Sequence, residues 1–186
     1  MSQREQAAPP RPVSFDQAAA ETSGISREEI DAATRFLFEE ARLADESRYL
    51  EWEQLVDDDM VYWVPRGEGN FDPEKHISIT YDNRRRLANR IRQLDTGRRL
   101  SQKPPSPMRR LLSNIEVTRE PNGEYRLFCN FALFELQIQA TNALQVWPGR
   151  TEYRLRHREG RGLVMFFKKV TLVNGAGPVP SIAFLL

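Results

Sequence analysis

The stretch from Glu124 to about Thr141 carries apolar side chains on both faces of a β-strand: Leu127, Phe128, Phe131, Ala132, Leu133, Phe134, Leu136 and Ile138. Successive strand residues point to opposite faces, so such a strand needs cover on both sides. Helices on one side and a second layer on the other would supply it. Pro121-Asn122-Gly123, just upstream, is a hairpin turn signal and makes Met108 to Thr118 the antiparallel partner. Thr151 to Arg158 reads as a third strand, closed by Glu159-Gly160-Arg161-Gly162. Leu163 to Val173 reads as a fourth, and Ser181 to Leu186 (SIAFLL) as an apolar C-terminal strand.

Helices come first in the chain. Ser26 followed by Glu29 is a capping box and predicts a helix from Arg27. Ile30, Ala33, Leu37, Ala41 and Ala44 fall on one face at helical spacing, and Phe36, Phe38 and Leu43 widen it. A second short helix follows, capped by Asp45 or Ser47, with Tyr49, Trp52, Leu55 and Val56 as its buried stripe. Asp57-Asp58-Asp59 ends this helical hairpin, and Met60 to Val64 is a buried strand. Pro65, Gly67, Gly69 and Pro73 mark a loop. Its two glycines lack the third glycine and the following helix of a phosphate-binding turn. A third helix runs from about Asp82 to Thr96, with the stripe Leu87, Ala88, Ile91 and Leu94 and Gly97 as its stop. Pro104, Pro105 and Pro107 then hold an extended connection. Segregated helices and consecutive hairpin strands mean α+β. Helices packed into one side of a strongly curved antiparallel sheet give a cone-like half barrel. Residues 1–24 are Pro/Ala-rich and read as a flexible arm, and residues 25–186 as one domain.

Composition excludes several kinds of chemistry. No apolar run approaches the ~18 residues of a membrane span. The N-terminus lacks the basic-then-apolar pattern of a signal peptide, so a cytoplasmic protein is expected. The single cysteine, Cys129, cannot form an intrachain disulfide or an all-cysteine metal site within this chain. Its place in the apolar run RLFCNFALF predicts a buried, inert thiol. The two histidines, His76 and His157, sit in different elements, which argues against an iron-binding triad.

Charge is unevenly spread in a chain of net charge +1. From Tyr81 to Arg110 ten basic residues face two acids, Asp82 and Asp95. From Glu39 to Asp59 nine acids face two arginines, Arg42 and Arg48. The basic helix therefore has a candidate partner either in the acidic hairpin or in another subunit. Exposed ion pairs contribute only about 0–1 kcal/mol each, so their larger effect lies in choosing partner and orientation.

Three runs in this order carry a resemblance: FLFEEARLADESRYLEWEQLVDDDMVYWVPR at 36–66, HISITYDNRRRLANRIRQL at 76–94 and KPPSPMRRLLSNIEV at 103–117. KKVTLVN followed by PSIAFLL extends it to the end of the chain. From about residue 27 onward the sequence resembles the beta (small) subunit of aromatic-ring-hydroxylating dioxygenases. The resemblance implies a fold like nuclear transport factor 2 and a hexamer of three alpha and three beta subunits, the beta chains forming a trimer. It implies that the alpha subunit carries the Rieske [2Fe-2S] cluster and the mononuclear Fe(II), with NADH electrons arriving through a reductase. The beta subunit then holds no catalytic group and acts as a scaffold. HISITYDNRRRL looks closer to benzoate- or anthranilate-type small subunits than to biphenyl-type ones, which leans toward aromatic acids. Arg109, Arg110 and Asn114, in the family-like PSPMRRLLSN run, are the interface or core-polar candidates.

Two other readings stand beside this one. An isomerase or cyclase of the ketosteroid-isomerase or polyketide-cyclase kind would need a carboxylate or histidine base inside the cone. Asp45, Asp59, Tyr49 and His76 are its candidates. Such an enzyme requires an enclosed cavity holding that base, whereas a cone filled with Phe and Leu excludes it. A nucleic-acid module could use the arginine helix for phosphate contacts, but no recognised motif accompanies it.

Overall fold

The computed structural model describes residues 24–67, 69, 72–96, 104–138, 141–180 and 182–186. The predicted N-terminal arm up to residue 23, the Gly97 stop and Lys103 lie outside them. Helix α1 spans Arg27–Asp45 and opens on the predicted capping box, with Ser26 and Glu29 each bonding the other's backbone N–H. Helix α2, Tyr49–Gln54, follows at once. Strand β1 is Val56–Pro65, β2 is Ser78–Asn83, and helix α3 is Arg84–Asp95. The rest is β: β3 Met108–Arg119, β4 Tyr125–Leu136, β5 Leu144–Arg158 and β6 Gly162–Leu172.

The six strands form one sheet in the order β2-β1-β6-β5-β4-β3. It curves around the three helices, and Ala33, Leu37, Trp52, Leu87 and Ile91 meet Leu127, Leu133, Trp147 and Leu155 in a single core. All neighbours are antiparallel except β1 and β6, which run parallel, so the all-antiparallel sheet expected from sequence is corrected to a mixed one. The reason is topological: β1 precedes the hairpin series, and its last member folds back alongside it in the same direction.

Several local expectations change for identifiable reasons. Asp82 and Asn83 end the strand β2, opposite Tyr62 and Val61, where a helix start at about Asp82 was expected. The helix begins at Arg84 because Asn83 caps it, its side chain accepting from the Arg86 N–H at 3.0 Å. Helix α2 has Arg48 at its N-cap with no side-chain cap, since Asp45 is engaged elsewhere. Asp57, Asp58 and Asp59 belong to β1 rather than ending the hairpin. Arg156 and Arg158 neutralise Asp57, and Arg156 also reaches Asp59. Phe38, expected under cover, is 52% exposed. Strand β4 stops at Leu136, and β5 starts at Leu144 rather than Thr151. Of the expected C-terminal strand, the described residues 182–186 form none: Phe184, Leu185 and Leu186 are buried in the core without joining the sheet. Alternation also corrects the reading of β4, whose inner residues Tyr125, Leu127, Cys129, Phe131 and Leu133 are buried while the outer row is only half-buried.

Gly149 in β5 is fixed by close approach. A Cβ there would lie 2.5 Å from the Thr171 carbonyl oxygen and 2.7 Å from a Phe131 ring carbon. The backbone oxygen cannot turn aside, so Gly149→Ala is expected to destabilise by about 1–3 kcal/mol. Urea unfolding checks this: the midpoint should fall with the slope unchanged.

Candidate functional site

Charge lies at the centre of the cone. Glu40 sits in the apolar stripe of α1, three residues after Leu37, and is 0% exposed. Its Oε1 accepts from Trp52 Nε1 and from Lys168 Nζ, each at 2.6 Å, and its Oε2 accepts from the Tyr153 hydroxyl at 3.2 Å. Lys168 is equally buried on the inner face of β6, and its ammonium lies 5.3 Å from the Tyr153 ring and 5.9 Å from that of Trp52. Beside this pair, Arg110 donates from Nε to Asp45 Oδ1 at 2.7 Å and from Nη2 to the Leu185 carbonyl at 3.0 Å. The Arg110 backbone N–H goes to Asp45 Oδ2 at 2.8 Å. Two carboxylates and two cations thus close on one another inside the fold. The network also pins the C-terminal segment, since the Leu186 N–H donates to the Tyr62 hydroxyl at 3.0 Å.

Electrostatics follow from this enclosure. Burial alone pushes the Glu40 carboxyl up, but Lys168 and Arg110 outweigh it and hold the group below the usual carboxylate range. Burial lowers the Lys168 ammonium, and repulsion from Arg110 adds to that while Glu40 opposes it. One cation, Arg110, therefore drives both groups in the same direction. Burial raises the Tyr153 hydroxyl well above its ordinary value, and the Glu40 charge raises it further.

The residues singled out from sequence are dispersed. Arg110 is a buried intrachain ion pair, its side chain 3% exposed, and so takes the core-polar alternative. Arg109 is exposed and donates to the Met108 carbonyl. Asn114 forms the β3 bulge with φ 51°, a left-handed conformation that Asn tolerates. Of the candidate bases, Asp45 is bound to Arg110, Asp59 is paired with Arg156, and His76 is exposed with Nδ1 on the Asp72 backbone. Tyr49 lines a pocket of about 280 Å3 at the cone mouth with Glu135 and Phe184. Glu135 is occupied there by Trp147 Nε1 at 3.0 Å and Ser106 Oγ at 3.1 Å.

Sequence reasoning missed Glu40 and Lys168. Each carried a signal: a carboxylate within a helical apolar stripe, and a lysine two residues before buried Val170 in the alternation of β6. The basic helix finds part of its partner within the chain, Arg84 bonding Glu53 and Arg90 bonding Asp82, each at 2.6 Å.

A Rieske centre takes two cysteines and two histidines. Here Cys129 is buried, while His76 and His157 are exposed on other elements. These residues do not fit the cluster, and no group of three metal-ligating side chains occurs among the described residues. Burial also pushes the Cys129 thiol up to about 11. A thiol reagent at pH 8 is therefore expected to label Cys129 only after denaturant is added, with rapid labelling of the native chain as the contrary result.

The sequence matches the family described as "Ring hydroxylating beta subunit" over residues 39–176. The chain belongs to this family. It is 28% identical over 144 residues to the 2-halobenzoate 1,2-dioxygenase small subunit of Burkholderia cepacia, covering 75% of this chain and 85% of that protein. The beta subunit of the benzoate 1,2-dioxygenase from Burkholderia mallei has the same fold at TM-score 0.64 and 22% identity, over 84% of this chain and 96% of that one. A naphthalene 1,2-dioxygenase chain superposes at TM-score 0.75 and 17% identity, over 94% and 95%. The fold of this ring-hydroxylating beta subunit is the nuclear transport factor 2-like cone expected from its sequence. No described helix is long and apolar enough to cross a membrane.

Proposed function

We propose that this chain is the non-catalytic small subunit of the terminal oxygenase in a multicomponent aromatic-ring dioxygenase. Family membership carries this reading, and the closed interior of the cone supports it. A partner alpha subunit supplies the Rieske [2Fe-2S] centre and the mononuclear Fe(II), and NADH electrons reach it through a reductase. The small subunits trimerise and hold three alpha chains in an alpha3beta3 hexamer in the cytoplasm. Residues 1–24 form an arm and residues 25–186 the scaffold domain. The relative named for a halobenzoate supports an aromatic acid as the ring substrate of the assembly.

The isomerase reading finds no free base inside the cone: Glu135 lines the pocket, but its oxygens accept from Trp147 Nε1 and Ser106 Oγ. Glu40 is fully buried, and its oxygens are taken up by Lys168, Trp52 and Tyr153. Phe184 and Leu185 are packed into the core beside the pocket.

Co-expression with a Rieske-type alpha chain, followed by mass and metal analysis, tests the proposal. The two chains are expected to copurify, with all iron and sulfide in the larger one. A purified single chain that oxidises or isomerises an aromatic substrate unaided would overturn the proposal. So would failure to associate with the Rieske-type chain.

A further inference from the structure

Four carboxylates are buried among the described residues: Glu40, Asp57, Asp82 and Glu135. Three of them meet a cation, Glu40 at Lys168, Asp57 at Arg156 and Asp82 at Arg90. Glu135 differs. Its Oε1 accepts from the Ser106 hydroxyl and its Oε2 from Trp147 Nε1, both neutral donors, and it forms no ion pair among the described residues. A carboxylate has about four acceptor positions, so each oxygen keeps one to spare. A buried anion without a counter-charge is destabilising, and a bound cation would relieve it.

Glu135 lines the pocket of about 280 Å3 at the cone mouth. Five parts of the chain meet there: Tyr49 from α2, Leu94 from α3, Met108 from β3, Glu135 from β4 and Phe184 from the C-terminal segment. Tyr49, Met108 and Phe184 are buried, and the Phe184 ring meets that of Trp147 edge to face at 5.6 Å. Asp95, exposed at the end of α3, adds a second acid, and none of the lining residues is Lys, Arg or His. An apolar cavity of about 150 Å3 admits benzene, and ligand pockets generally start at about 300 Å3. The space therefore suits one ring with a short substituent, and its chemistry suits a positive charge on that substituent.

We propose that this pocket binds a small organic cation, a protonated amine carried on a single ring, with Glu135 as its counter-ion. The ammonium donates to the spare acceptor positions of Glu135, and Asp95 adds to the attraction from the rim. The ring packs among Tyr49, Met108 and Phe184. The same two acids repel an aromatic carboxylate, so this is not a site for the aromatic acid proposed as substrate of the assembly. Phe184 belongs to the C-terminal segment, so an occupant also ties that segment to the sheet and stabilises the folded chain by mass action. The site is a property of this chain alone and does not depend on the small-subunit reading.

Calorimetric titration of the full-length chain with benzylamine at neutral pH tests it. Benzoate serves as the same ring with the opposite charge, and methylamine as the charge without the ring. Benzylamine is expected to fill one site with a Kd of about 1 mM or tighter. Benzoate and methylamine should each bind at least about tenfold more weakly. Glu135→Gln keeps an acceptor for Trp147 and should weaken benzylamine at least about tenfold with an unchanged circular-dichroism spectrum. Glu116→Gln, on an exposed acid away from the pocket, should change nothing. Should Glu135→Gln lose its fold, Asp95→Asn takes its place and should weaken benzylamine about threefold. No saturable binding of benzylamine, or benzoate bound as tightly, would overturn the proposal. So would a folded Glu135→Gln chain, or in its place a folded Asp95→Asn chain, that binds benzylamine as the unaltered chain does. Failure of the unaltered chain to bind a Rieske-type chain counts against the small-subunit reading and leaves the titration result standing.

Discussion

Lys168→Met is expected to lower the unfolding free energy by about 3–5 kcal/mol, because it leaves the Glu40 carboxylate buried without its counter-ion. Glu40 is fully enclosed and has no route to water, so the remaining Trp52 and Tyr153 hydrogen bonds cannot replace the lost charge. Urea unfolding of the isolated chain measures the effect. The double variant Glu40→Gln/Lys168→Met should recover most of it, since the amide oxygen still accepts from Trp52 and no buried charge is left without its partner. Equal losses in the single and double variants would show that packing, not the ion pair, sets the cost. A pH dependence follows with a definite sign. The folded carboxyl of Glu40 lies below its unfolded value of about 4.3, so its stabilisation is complete above that pH. It fades as pH falls through the folded value, and this acid sensitivity should be reduced in the double variant.

Arg110→Met is expected to cost about 3–5 kcal/mol in the isolated chain, because it strands the buried Asp45 carboxylate and frees the Leu185 carbonyl. Arg110→Lys should restore only part, since one ammonium cannot span both acceptors as the guanidinium fork does. Thermal unfolding of the isolated chain separates this from an interface role. An interface residue would leave the lone chain's stability unchanged and weaken only its assembly. Arg109→Met, one position away but exposed, should stay within about 0.5 kcal/mol.

The contrast between Arg109 and Arg110 shows where sequence reading stops. Both arginines sit in one run, and nothing local says which faces inward. That follows from strand alternation once Met108 is buried, and from the position of Asp45 at the end of α1, 65 residues earlier. Helix α1 was legible because its capping box and stripe are local patterns, and the Pro121-Asn122-Gly123 hairpin was legible for the same reason. Strand β2 was obscured because its six residues run directly into a helix whose periodicity overshadows them. The C-terminal Phe184 to Leu186 run has the composition of a strand, and only its lack of a sheet partner makes it core filling.

By itself the sequence determined the segregation of helices from hairpin strands, the single cysteine that denies this chain a Rieske centre of its own, and the family resemblance. Each of these is a matter of local pattern, residue count or order along the chain. Tertiary structure alone decided that β1 runs parallel to β6, that Glu40 and Lys168 meet across 128 residues, and that Arg110 closes on Asp45. It also decided that Leu111, Leu144 and Val173 are left exposed. The physical reason is common to all of these. A buried charge or an exposed hydrophobic is defined by what lies opposite it, and that neighbour comes from a distant part of the chain.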